Sequence, residues 1–94
     1  MRPYELMLVL SPEADDQRVE GFKTRMRTFI TDRGGEVNSE DLWGKRKLAY
    51  RIGRFSEGNY FLTRFHLDPA PVKELENFLN VSEDVIRHLL VRQE

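Results

Sequence analysis

Hydrophobic positions along the first third of the chain change period once, and the change separates a strand from a helix. From Tyr4 to Leu10, residues Tyr4, Leu6, Leu8 and Leu10 share one face while Glu5, Met7 and Val9 share the other. This is the alternation of a strand that is half polar at one end and mostly apolar at the other, as expected at the centre of a sheet. Ser11-Pro12 ends it, and Asp15 with Asp16 supplies a cap and favourable negative charge for a helix. Val19, Phe22, Met26, Phe29 and Ile30 then recur at spacings of three and four, the buried face of a helix ending at Arg33 before Gly34-Gly35.

Glu36 to Ile52 has no helical period and is β-branched or aromatic in part, which predicts a long strand bent around Trp43-Gly44. Ser56-Glu57-Gly58-Asn59 reads as the hairpin turn into a third strand, Tyr60 to Leu67. There Phe61, Thr63, Phe65 and Leu67 form a core-like face, and Tyr60, Leu62, Arg64 and His66 form a mixed one. Asp68-Pro69-Ala70-Pro71 signals a second helix, with Val72, Leu75, Phe78 and Leu79 on its inner face up to Asn80. A last strand runs from about Val85 to Arg92. Val85, Arg87, Leu89 and Val91 alternate there with Ile86, His88, Leu90 and Arg92 almost equally well, so its facing stays open.

Two strand-helix-strand halves with right-handed crossovers predict an α+β fold of ferredoxin-like βαββαβ order. It is a four-stranded antiparallel sheet with both helices on one face. The uncovered face should carry Glu5, Met7 and Val9 beside Tyr60, Leu62, Arg64 and His66, a surface apolar enough to expect a contact. The 94 residues make one domain, residues 1–94, with room for one core and at most one site. Without cysteine there is no disulfide, thiolate nucleophile or thiolate metal site. No apolar run approaches the roughly 18 residues of a membrane span, and the start lacks a signal-peptide pattern, so the chain reads as soluble, unexported and without a membrane partner.

Net charge is only −1, yet it is polarised. In Asp41–Ile52, DLWGKRKLAYRI, the cluster Lys45-Arg46-Lys47 precedes alternating Leu48, Tyr50 and Ile52, and Arg51 and Arg54 extend the charge. No acid interrupts Trp43 to Phe55. Such a patch fits phosphate or an acidic protein surface, and equally an edge strand kept from aggregating by its lysines.

Catalytic patterns are missing. His66 and His88 lie on different strands without clustered carboxylates, so no metal, cofactor or small-molecule substrate is expected. Ser11, Ser39, Ser56 and Ser82 sit in caps or turns, away from any nucleophile elbow, and Gly34-Gly35 follows a helix instead of opening one as a phosphate loop does. A small acyl-phosphate hydrolase shares the architecture only, because Ser11-Pro12-Glu13 stands where its glycine-bounded arginine loop would be.

MRPYELMLVLSP, DLWGKRKLAYRI and DVIRHLLVR, at their spacing in this chain, resemble the bacterial small-subunit ribosomal protein S six family over essentially its whole length. Trp43-Gly44-Lys45-Arg46-Lys47-Leu48-Ala49-Tyr50 is the most specific element. The resemblance implies a cytoplasmic, non-enzymatic protein that binds the central domain of small-subunit ribosomal RNA with ribosomal protein S eighteen. Two departures stand out. Arg51 replaces a proline common after Leu-Ala-Tyr, and the sequence stops at Arg92-Gln93-Glu94 where many relatives continue in a charged tail.

Arg2, Lys45, Arg46, Lys47, Arg64, Arg87 and Arg92 are the RNA candidates, standing at strand starts, on the open face or near strand ends. Four phosphate contacts would give a log-log salt slope of roughly −3. Arg64 has an ion pair with Glu5 as its alternative, and Arg87 one with Glu83 or Asp84. Helix-borne Arg18, Lys23, Arg25, Arg27 and Arg33 alternate with acids and read as a solvated face.

A near-neutral chain implies shared binding, with a partner supplying cationic surface. The long second strand, as a sheet edge, offers main-chain pairing with Leu42 and Trp43 as anchors, and Tyr50 and Tyr60 complete the expected interface. Trp43 beside glycine fits a core plug as well. Gly58 to Phe65 only weakly resembles an RNA-recognition-motif strand, because Glu57 holds the basic position. The alternative reading is a small ferredoxin-like regulatory or ligand-binding domain that dimerises through its sheet.

Overall fold

A computed structural model of the chain describes residues 1–93. Glu94, the end of the sequence compared above with longer relatives, lies outside the described residues. The elements are β1 (Arg2–Leu10), α1 (Asp16–Asp32), β2 (Glu36–Ile52), β3 (Phe55–Leu67), α2 (Val72–Val81) and β4 (Val85–Arg92). They form the expected sheet, ordered β2-β3-β1-β4 and antiparallel throughout. β1 is central, as expected.

Tyr4, Leu6, Leu8 and Leu10 of β1 and Phe61, Phe65 and Leu67 of β3 form one core with Val19, Phe22, Met26 and Ile30 of α1 and Leu75 and Leu79 of α2. Both helices therefore cover the same face. At the start of α1, Asp15 Oδ1 accepts from the Arg18 amide at 2.8 Å, satisfying one of the amides that a helix leaves unpaired. Phe78 stacks on Phe29 and Phe22 at centroid distances of 5.4 and 6.0 Å, and Arg33 lies 3.5 Å over Phe29 while pairing with Glu74 at 3.1 Å. These contacts join the two helices above the sheet.

The hairpin turn differs from expectation. It lies at Gly53-Arg54, where Gly53 has φ +58°, and Ser56 to Asn59 continue β3. Gly58 and Asn59 resemble a turn for reasons unrelated to one. A Cβ at Gly58 would stand 2.4 Å from Val9 Cγ1, and the Asn59 amide donates to the Ser11 carbonyl at 3.2 Å. The bend at Trp43-Gly44 is present as a bulge, with Gly44 at φ +80° and Trp43 opposite no residue of β3.

β4 has a definite facing. Val91, Leu89 and Arg87 lie opposite Glu5, Met7 and Val9, on the open side, while Leu90 and His88 lie opposite core-facing Leu6 and Leu8. Arg64 takes its alternative, an ion pair with Glu5 at 2.8 Å. Arg87 does not pair with Glu83 or Asp84, because Asp84 is held by Arg18 from α1.

Candidate nucleic-acid interface

Register builds the open face row by row. Glu5 lies opposite Arg64 and Val91, Met7 opposite Leu62 and Leu89, and Val9 opposite Tyr60 and Arg87. His66 closes the row at one end, where Asn38 Oδ1 stands 2.6 Å from its Nδ1. Leu89 is 61 % and Val91 42 % exposed, so apolar surface continues to the β4 edge. Sequence reading left these two out because either parity of β4 fitted; pairing with β1 decides it.

Val9 is only 5 % exposed although no helix covers its side of the sheet. The cover comes from the end of β2. Between the pairs Lys47–Glu57 and Ile52–Phe55, β2 uses Leu48 to Arg51 where β3 uses Ser56 alone. The surplus curls over the open face as a strap. Leu48, Ala49, Tyr50 and Ile52 enclose a hollow of about 70 Å³ with Val9, Tyr60 and Arg87, and Arg87 hydrogen-bonds the Tyr50 hydroxyl. Beside it, Met7, Val9, Tyr60, Arg87 and Leu89 line a second hollow of about 170 Å³.

The predicted cations fall into two groups. Lys45, Arg46 and Lys47 lie opposite Asn59, Gly58 and Glu57, at the hairpin end of the sheet, the end that also holds Arg87. Arg2 and Arg92 lie opposite Leu67 and Tyr4, at the other end with Arg64. Among the described residues, Lys45, Arg46, Lys47 and Arg51 make no ion pair, and Arg46 only donates to the Trp43 carbonyl at 3.3 Å. The helix cations are occupied instead. Arg18 pairs with Asp84, Lys23 with Glu20, Arg27 with Glu40 and Arg33 with Glu74, while Arg25 lies over Phe22. Three of those four ion pairs reach beyond the helix, so its exposed arginines also tie it to the rest of the fold.

The expected partner residues also separate. Tyr50 and Tyr60 meet over Val9, whereas Leu42 and Trp43, 50 % and 46 % exposed, stand on the β2 edge. At that exposure Trp43 is not a core plug. Among the described residues no helix is long and apolar enough to cross a membrane, and no three His, Cys, Asp or Glu side chains cluster as metal ligands.

Fold and surface together define a small α+β protein with an uncovered, partly apolar sheet face and a cationic hairpin. The sequence model described as Ribosomal protein S6 matches residues 3–92. Small ribosomal subunit protein bS6 of Caldanaerobacter subterraneus subsp. tengcongensis is 44 % identical over 92 residues, covering 98 % of this chain and 97 % of the relative. The bS6 protein of Desulforamulus reducens is 36 % identical over 93 residues, covering 99 % and 98 %. The crystal structure of 30S ribosomal protein S6 from Thermotoga maritima superposes with a TM-score of 0.91 at 33 % identity, over 98 % of this chain and 87 % of that one. The chain belongs to the bacterial ribosomal protein S6 family, and is a structural protein of the small ribosomal subunit, a cytoplasmic particle. At 14 % identity and a TM-score of 0.55, the C-terminal domain of the MgtC protein from Mycobacterium tuberculosis shares the fold alone.

Proposed function

We propose that the chain binds the central domain of small-subunit ribosomal RNA jointly with ribosomal protein S eighteen, without enzymatic activity. The observation that carries this reading is the contrast in cation pairing. Arg18, Arg27 and Arg33 are spent on internal ion pairs, while Lys45, Arg46, Lys47 and Arg51 project from one hairpin and make no ion pair among the described residues. Cations kept free of internal ion pairs are available to phosphates, and each contact releases condensed counterions.

A net charge of −1 supplies little general attraction to RNA. The sister protein therefore contributes cationic surface and orients this one. Apolar docking area for it exists at Leu42 and Trp43 on the edge and at Met7, Leu62, Leu89 and Val91 on the open face. Arg2, Arg64, Arg87 and Arg92 are secondary RNA candidates, since Arg64 must first give up Glu5 and Arg87 must give up Tyr50.

The test is affinity for a central-domain RNA fragment titrated over salt, with and without ribosomal protein S eighteen. Tight, salt-sensitive binding only with the sister protein present is expected. Equal binding in its absence would refute shared recognition, and no binding in either condition would refute the RNA assignment.

A further inference from the structure

We propose that the hollow beside the strap on the open face takes one unstacked nucleobase of the RNA. The proposal rests on the RNA-binding reading above and names the part of the RNA that this face receives. Met7, Val9, Tyr60, Arg87 and Leu89 line the hollow, about 170 Å³ in volume, and it adjoins the hollow under the strap through Val9, Tyr60 and Arg87. The strap closes one half of that trough and leaves the other half open. Sites for whole small molecules occupy roughly 300–1,000 Å³. This one has room for a single ring system, so sugar and phosphate stay outside it.

The lining suits a base more than any other flat ring. Met7, Val9 and Leu89 offer apolar contact and Tyr60 an aromatic one, the contacts that hold single-stranded bases whatever their identity. Arg87 supplies the polar edge. Its bond to the Tyr50 hydroxyl occupies one of five guanidinium donors, and it makes no ion pair among the described residues. Arg87 can therefore keep Tyr50 and still donate to a carbonyl oxygen or ring nitrogen of a base. A phenylalanine or leucine side chain of the sister protein would leave those donors unused.

Charge favours a polynucleotide at the same spot. No acidic side chain lines either hollow, and Lys45, Arg46 and Lys47, none of them in an ion pair among the described residues, stand at this end of the sheet. Arg46 lies opposite Gly58, and Gly58 packs against Val9, which the hollow shares with the strap. A base seated over Val9 thus brings its flanking phosphates to the cationic hairpin. Bases paired in a duplex are turned inward, so this one comes from a loop, a bulge or an unpaired strand. Of the apolar area offered to the sister protein, the hollow uses only Met7 and Leu89. Leu62, Val91 and the edge residues Leu42 and Trp43 stay available to it.

Binding of the central-domain fragment over salt, with ribosomal protein S eighteen present, tests this in the variants Tyr60→Leu and Leu89→Ala. Each should weaken affinity about tenfold and leave the log-log salt slope unchanged, because contact with a base displaces no counterion from a phosphate. Replacing the unpaired nucleotides of the fragment one at a time by abasic ones should reveal one position whose loss is as costly to the wild-type chain and costs Leu89→Ala little more. Leu89 is 61 % exposed, so its variant should fold, as circular dichroism would verify. Wild-type affinity in both variants, or no abasic position coupled to Leu89, overturns the proposal while the RNA-binding reading stands. Weakened association with ribosomal protein S eighteen in the absence of RNA also overturns it, since the hollow would then receive a side chain of that protein. A wild-type chain that binds no RNA overturns both readings.

Discussion

Arg87 of β4 donates a hydrogen bond to the Tyr50 hydroxyl of β2, and its guanidinium carbon lies 5.7 Å from the tyrosine ring centroid, although β3 and β1 separate those strands. The surplus residues Leu48 to Arg51 make the contact possible by leaving the plane of the sheet and crossing its open face. The strap thereby acquires an anchor at its far end, and Arg87 is turned toward a ring instead of toward Glu83. Hydrogen bond and cation-π attraction act on the same pair.

A double-mutant cycle on Tyr50→Ala and Arg87→Ala should therefore give a coupling energy of about 0.5–1 kcal/mol in urea unfolding. Amide exchange at Leu48 to Arg51 should quicken in either single variant. Additive effects with unchanged exchange would show that the strap is held by Leu48 and Ile52 alone.

Gly58→Ala should lower stability by about 1–3 kcal/mol through overpacking. The new Cβ would meet Val9 Cγ1 at 2.4 Å and the Leu10 carbonyl at 3.2 Å. Thermal melts of Gly58→Ala with and without Val9→Ala separate the two contacts. If Val9 is the obstacle, the double variant loses less than the sum of the single losses; strict additivity would point to the backbone carbonyl.

Where sequence reading succeeded and where it stopped follows from the range of the forces involved. Periodicity exposes any residue whose surroundings repeat along its own element, so β1, both helices and the core stripe from Val19 to Ile30 were all legible. Gly58 was misread because a glycine required by a neighbouring strand and one required by a turn are the same letter. The facing of β4 was hidden because a register shift between the pairs Val9–Arg87 and Leu10–Val85 leaves Ile86 opposite no residue of β1, and both parities looked apolar. The basic cluster was legible as charge, but its freedom was not. Whether an arginine is occupied depends on acids far away in sequence, such as Glu40 for Arg27 and Asp84 for Arg18.

Those distant pairs differ in consequence. Glu40 raises the Arg27 guanidinium above its ordinary range, by its hydrogen bond first and its charge second. A group with a raised folded-state value stabilises the fold below its unfolded pKa, and the contribution fades only as pH climbs through the higher one. For Arg27 both lie in strong alkali, so the pair should add no pH dependence across the neutral and mildly alkaline range. Arg27→Ala should lower the melting temperature more than Arg54→Ala. The first strands a carboxylate whose side chain is 17 % exposed, whereas the second frees Glu13, which is 61 % exposed. Equal melting temperatures would show that water reaches Glu40 as readily as it reaches Glu13.

RNA binding should read out the difference between free and occupied cations. Lys45→Ala and Lys47→Ala remove charges that have no ion pair among the described residues, so each should weaken binding to the central-domain fragment and flatten the log-log salt slope by about 1. Arg33→Ala removes a charge committed to Glu74 and to the ring of Phe29. It should lower stability and leave the slope unchanged. Both titrations are made in the presence of ribosomal protein S eighteen, since the near-neutral chain alone supplies too little attraction for an accurate slope. A slope that responds to Arg33 as strongly as to Lys45 would mean that the helix face, and not the hairpin, meets phosphate. Ion pairing within the chain would then not decide which cations meet phosphate.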